Sequence, residues 1–255
     1  MTAVELHHRI DGLGEGRALL LGGSLGTTLE MWEPQLPLGR FTRLIRFDHR
    51  GHGRSPVPPG PYSIADLGGD VIALMDRLGL ERASYCGLSI GGMVGQWLAI
   101  NAPERIEKLI LICTAAFLPP RSNWVERAEL VRTAGSAGVV AGTVIGRWFT
   151  PPFAQTHREL VARYRAMIAA TPAEGYAGCC EAIADLDVRA GLGGVTAPTL
   201  VIAGAEDPSI PPEHGEAIAQ AVAGARIEVL DPAAHLASVE RAADVNRLIV
   251  NHLEG

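Results

Sequence analysis

The chain has 255 residues, 47% of them hydrophobic and 20% charged, with 30 glycines and a formal net charge of −6. That is enough apolar chain for a full core without disulfide or metal staples, and too much for a disordered protein. The acidic balance argues against a nucleic-acid partner, which needs a basic face to neutralise phosphates, while a buried pocket for a small anion sets its own local charge.

In chain order, short β-rich runs alternate with longer helical patterns. Leu19–Leu21 and Leu44–Phe47 read as buried strands. The stretch after Ser63 carries Ile64, Leu67, Val71, Leu74 and Leu78 at helical spacing, opened by a Ser63/Asp66 capping box. "ASYCGLS" predicts a strand, "IGGMVGQWLAINAP" a helix stopped by Pro103, and "IEKLILICTAA" a further strand. This alternation predicts an α/β fold with a mostly parallel central sheet and helices on both faces. After Pro119-Pro120 the pattern breaks. From Arg121 to Gly194 the chain is helix-like without a convincing strand and holds Trp124 and Trp148. Alternation then resumes through "PTLVIAGAED", "PEHGEAIAQAVAG" and "ARIEVLD" to a last helix from about Arg241 to His252. The expected division is residues 1–120 and 195–255 as two parts of one core, with 121–194 inserted between them as a helical lid.

Residue usage narrows the chemistry. Of the 22 basic residues only Lys108 is a lysine, so there is no Gly-Lys-Ser/Thr phosphate loop. A Schiff base would have to form on Lys108, which directly precedes a strand-like run; ATPase and pyridoxal chemistry are disfavoured and no cofactor is expected. Cys86, Cys113, Cys179 and Cys180 contain no C-x-x-C pair, which speaks against a zinc site and a disulfide framework. The N-terminus shows no basic segment leading into an apolar one, and the longest apolar stretch, Leu109–Leu118, is far below the ~18 residues of a membrane helix. A soluble cytoplasmic protein without metal is expected; the sequence is silent on oligomeric state.

Gly87-Leu88-Ser89-Ile90-Gly91 matches G-x-S-x-G between a predicted strand and a predicted helix. A chain with this many glycines yields roughly 0.1 such matches by chance, so the context carries the weight. Flanking glycines leave room for a sharp strand-to-helix turn that exposes the serine at the carboxyl edge of the sheet; the alternative is a glycine-rich turn with an incidental serine. A serine hydroxyl needs a base held in one tautomer by a carboxylate. The chain order expected for this kind of elbow is Ser, acid, His, each on a loop after a strand. Asp207 and His235 satisfy it, lying just beyond the strands predicted at Leu200–Ala203 and Ile227–Leu230. Glu206 adjoins Asp207 but points apart from it, Asp231-Pro232 reads as turn chemistry, His214 falls in a helix and His252 lies near the terminus. Oxyanion donors are expected from the backbone N–H groups of Ile90, at a helix N-terminus, and of Leu25, in the loop Gly22–Gly26. "DHRGHGRS", from Asp48 to Ser55, reads as a turn closing a strand; its two histidines stand too early in the chain to be the base.

The whole chain resembles the α/β-hydrolases, and among them the bacterial 3-oxoadipate enol-lactonases. The resemblance rests on "SLGTTLEMWEPQ", "RFDHRGHGRSP", "CGLSIGGMVGQWLA", "APERIEKLILICTAA", "RWFTP", "EGYAGCCEAIADLD", "PTLVIAGAEDPSIPP" and "AAHLASVE", which span nearly all of it. It departs at Gly23, where relatives often carry His or Asn, and at "LDPAAH", which is one residue longer than usual. The resemblance implies the triad Ser89, Asp207 and His235, and hydrolysis of a small anionic lactone within the β-ketoadipate pathway of aromatic catabolism. A substrate carboxylate calls for an arginine able to form two parallel hydrogen bonds; Arg127 and Arg147, beside Trp124 and Trp148, are the candidates. Other outcomes with the same triad are another small-ester, carbon–carbon-bond or perhydrolase-type enzyme; a ligand-binding relative without catalysis is the outcome from a different class.

Overall fold

A computed structural model describes residues 2–12 and 17–255. Seven strands form one sheet: β1 (His8–Gly12), β2 (Ala18–Gly22), β3 (Arg43–Phe47), β4 (Ala83–Leu88), β5 (Ile106–Ile112), β6 (Thr199–Gly204) and β7 (Arg226–Leu230). Their spatial order is β1-β3-β2-β4-β5-β6-β7, parallel throughout except that β1 runs antiparallel to β3. β2, β4 and β6 are buried along their whole length, as unbroken apolar runs covered on both faces must be.

Helices α1 (Ile64–Arg77) and α2 (Ile90–Asn101) pack together, and α2 lies across β4 and β5. α1 starts where the sequence places it. The Ser63 hydroxyl accepts the Asp66 N–H, and the Asp66 carboxylate accepts the Ser63 N–H in return. Between β5 and β6 the chain adds no strand to the sheet. It forms α3 (Arg121–Ala134), α4 (Gly138–Trp148), α5 (Pro151–Thr156), α6 (Arg158–Ala170) and α7 (Ala173–Ala184). Arg132 fastens α3 to α7 through ion pairs with Glu174 and Glu181. The core closes with α8 (Pro212–Ala221), the short α9 (Ala237–Glu240) and α10 (Ala242–Glu254).

Two elements lie outside the sequence reading. β1 is a half-exposed edge strand whose polar residues give no apolar signature. Leu29–Arg40 forms 3₁₀ turns that Pro34 and Pro37 keep from becoming an α-helix. From β2 the chain steps to β3 on one side, then returns past β2 to β4 on the other. The crevice beyond the carboxyl ends of β2 and β4 is therefore the topological switch point where open α/β sheets bind ligands. Among the described residues no helix is long and apolar enough to cross a membrane.

Candidate active site

Ser89 sits at that switch point, between the end of β4 and the first residue of α2, with φ 57° and ψ −118°. An L-residue adopts this conformation only under constraint. The constraint is backbone crowding: a Cβ on Gly87 would fall on the Gly91 carbonyl, and one on Gly91 would fall on the Gly22 carbonyl. Glycine at both positions is the condition for the turn to pass so close to β2. Further bonds hold it, from Ser89 N–H to Ile112 O at 3.0 Å, Gly91 N–H to Gly23 O at 3.1 Å, and the Thr114 hydroxyl to Ser89 O at 2.8 Å.

Asp207 follows β6 and His235 follows β7. Asp207 Oδ2 lies 2.7 Å from His235 Nδ1, while Oδ1 accepts the N–H groups of Ser209 (2.8 Å) and Ile210 (3.1 Å). Both side chains are buried. Every contact of the carboxylate is with a donor, so it fixes the imidazole with Nδ1–H toward itself and Nε2 free to act elsewhere. Glu206 is exposed, Asp231 supplies its backbone carbonyl to Arg241, and His252 bonds the Pro198 carbonyl 3.1 Å away, on the other side of the sheet's end.

The loop carrying His235 is held by groups the sequence did not flag. Glu240 accepts the Ala234 N–H at 3.0 Å and the Thr150 N–H at 3.2 Å, and also bonds the Thr150 hydroxyl. The Leu236 N–H donates to Trp148 O at 2.9 Å. The histidine loop is thus tied to the segment between α4 and α5. The only sequence hint was the spacing of Glu240 five residues after His235; its partner at Thr150 is ninety residues away.

Ser89 and His235 line one cavity together with Ser24, Leu25, Met93, Trp124, Arg127, Arg147, Trp148 and Tyr176. All of the sequence-predicted site residues therefore lie at this cavity or, for Asp207 and Ile90, directly behind it. The N–H groups of Leu25 and Ile90 have no acceptor among the described residues, and Ile90 begins α2. Trp124 and Arg127 stack, with the guanidinium carbon 4.6 Å from the ring centroid. Arg121, Arg132, Arg163 and Arg189 each pair with a carboxylate. Neither Arg127 nor Arg147 does so among the described residues. Arg127 is half-buried and Arg147 is exposed at the mouth. Tyr176, which the sequence reading missed, lies beside Arg127, and burial pushes its phenol well above the usual range, so it stays a neutral donor. The four cysteines are free and buried.

The alpha/beta hydrolase fold model matches residues 18–242. The chain belongs to the α/β-hydrolase family. It is 42% identical to 3-oxoadipate enol-lactonase 2 of Acinetobacter baylyi, over 96% of this chain and 92% of that protein. Among solved structures it superposes on the enol-lactonase from Burkholderia xenovorans with a TM-score of 0.96 at 43% identity, covering 99% of this chain and 97% of that one. A hydrolase from Pseudomonas aeruginosa is equally similar, with a TM-score of 0.95, 46% identity, and coverage of 99% and 95%.

Proposed function

We propose that the protein hydrolyses 3-oxoadipate enol-lactone to 3-oxoadipate with a Ser89–His235–Asp207 triad. The observation that carries this reading is the meeting of Ser89 and the Asp207–His235 pair at a cavity also lined by Arg127 and Arg147, neither of which pairs with a carboxylate among the described residues. The enol-lactonase names of its close relatives support the substrate.

In this mechanism Ser89 Oγ attacks the lactone carbonyl as His235 Nε2 takes its proton. The N–H groups of Leu25 and Ile90 stabilise the oxyanion, helped by the positive end of the α2 dipole. Collapse breaks the ring C–O bond, and His235 returns the proton to the enol oxygen. Because the ring opens without fragmenting, the enol stays attached within the acyl-enzyme. His235 then deprotonates a water that attacks the ester and passes that proton to Ser89 Oγ as the acyl bond breaks, releasing the second carboxylate; the freed enol tautomerises to the ketone, 3-oxoadipate. An enol is a good leaving group, so orientation and oxyanion stabilisation matter more than leaving-group protonation. Residues 121–194 act as the lid: Trp124 and Trp148 exclude water while Arg127, and secondarily Arg147, bind the substrate's carboxylate.

The test is turnover of enzymatically generated enol-lactone beside a panel of neutral esters, with fluorophosphonate labelling of Ser89. Labelling and a strong preference for the lactone support the reading. Labelling with equal kcat/KM across the panel gives a general esterase, and no labelling with no turnover gives a ligand-binding protein.

A further inference from the structure

The turn after β3 places two histidines, His49 and His52, under the loop Gly23–Gly26, and both rings are buried. His52 Nε2 accepts the Gly26 N–H at 2.9 Å. An acceptor nitrogen carries no proton, so the ring proton is on Nδ1, which faces the Arg50 carbonyl at 3.2 Å and donates to it. His49 Nε2 lies 3.2 Å from the Gly23 carbonyl and donates there, at the oxygen that also receives the Gly91 N–H from the serine turn. Burial lowers the proton affinity of both rings, His49 to about 3, in keeping with neutral imidazoles in these tautomers.

Peptide-plane geometry gives these two bonds a consequence for catalysis. The Leu25 N–H belongs to the peptide plane between Ser24 and Leu25. The plane before it carries the Gly23 carbonyl, and the plane after it carries the Gly26 N–H. His49 holds the first and His52 the second, so the plane bearing the oxyanion donor is fixed on both sides. Gly26 is left-handed at φ 82° and cannot shift toward the lid, where Tyr176 and Ile168 close the space beside it. The support beneath is rigid. Arg50 is fully buried with Nε and Nη2 on Asp70 at 2.6 and 2.7 Å, and Gly51 packs directly on Gly175 of α7.

We propose that His52, seconded by His49, is a positioning residue that aims the Leu25 N–H at the reaction's oxyanion. The proposal rests on the oxyanion hole assigned above. It adds that the hole is set by a side chain twenty-six residues along the chain from the loop it holds.

The test uses the full-length enzyme and three variants. His52→Leu removes the acceptor. His52→Asn puts its amide near the Nδ1 position, short of Gly26. His52→Gln reaches the Nε2 position with a carbonyl oxygen that can accept the same N–H. A misaimed oxyanion donor costs up to ~10²–10³-fold, so His52→Leu and His52→Asn are expected to lose about 10- to 100-fold in kcat with KM within about threefold. The inhibition constant of an alkylboronic acid, whose Ser89 adduct places an oxygen in the hole, should rise by the same factor as kcat/KM falls. His52→Gln should recover most of both. If His52→Leu does not fold, the Gln–Asn contrast still decides. A merely structural role would lower the melting temperature of Asn and Gln alike without separating kcat from KM. Unchanged kcat and boronate affinity in His52→Asn, or equal losses in Asn and Gln, overturn the proposal while wild-type activity stands. A wild-type protein that neither labels with fluorophosphonate nor turns over any ester overturns the catalytic reading and this proposal with it.

Discussion

Replacing Arg127 by Met keeps most of its length and removes its charge, which separates the proposed recognition of a substrate carboxylate from the proposed catalysis at Ser89. The guanidinium is half-buried, stacks on Trp124 at 4.6 Å, and has no carboxylate of its own among the described residues. A hydrogen bond to a charged group is worth about 1.5–3 kcal/mol when buried, and partial exposure places Arg127 toward the lower end. That converts to roughly a tenfold change in binding, since about 1.4 kcal/mol is a factor of ten. Arg147 lies exposed at the mouth, where screening reduces an ion pair to about 0–1 kcal/mol, so its loss should cost only a fewfold. The assay is kcat/KM for the enol-lactone against its methyl ester. Wild-type enzyme should prefer the acid; Arg127→Met should lose about tenfold on the acid and little on the ester, mostly through KM. Equal losses on both substrates would mean that Arg127 supports the lid's packing through Trp124 rather than the substrate's charge. A wild-type ratio near one would refute charge recognition altogether.

Ser89→Ala and His235→Ala should each lower kcat by at least ~10³-fold with the melting temperature preserved, because triad members act as a unit; near-normal turnover by either removes the mechanism. Asp207→Asn should cost on the order of 10⁴-fold, since an amide at 2.7 Å from Nδ1 stabilises the wrong imidazole tautomer, whereas exposed Glu206→Gln should be silent; the reverse result moves the acid. His49 links stability to pH. Its folded pKa of about 3 lies below the ordinary 6.5, so below pH 6.5 the unfolded chain binds a proton that the folded chain does not. The stabilisation is complete well above pH 6.5 and is lost as pH falls toward 3, by about 1.6 kcal/mol between pH 6.5 and 5. By urea unfolding, wild type should lose about this much more stability than His49→Gln between those two pH values, and equal losses would show that His49 takes up its proton in the folded protein as readily as in the unfolded one.

The sequence was most informative where function depends on local backbone geometry. Gly87 and Gly91 bracket Ser89 because the turn closes on itself at Gly87 and on the end of β2 at Gly91, and that demand is written as residue type at fixed spacing. Asp207 and His235 were legible for a related reason: each follows a strand that the sequence marks, β6 by an unbroken apolar run and β7 by Ile227, Val229 and Leu230 among polar residues, and parallel strands deliver their following loops to one edge. β1 left no such trace, since Ile10 is its one aliphatic residue among His8, Arg9, Asp11 and Gly12. The polar bracing of the site was illegible for a different reason. Glu240 meets Thr150 across ninety residues, and His52 meets Gly26 across twenty-six. Each bond is a long-range polar pairing that hydrophobic periodicity does not address.

Chain order argued against His49 and His52 as the base, yet order among candidate catalytic groups says nothing about what supports them. Their composition carries a usable signal even so. A histidine in a glycine-rich turn that closes a buried strand must either reach water or find partners inside, because a buried imidazole left unpaired is costly. In this fold the turn after β3 abuts the turn after β2, the one proposed to supply an oxyanion donor, since β3 and β2 are sheet neighbours. Adjacent parallel strands thus bring the polar residues of one loop against the backbone of the next. The same placement that gathers Ser89, Asp207 and His235 at the carboxyl edge also delivers the imidazoles that hold Gly23 and Gly26, so the proposed triad and its bracing follow from one property of the sheet.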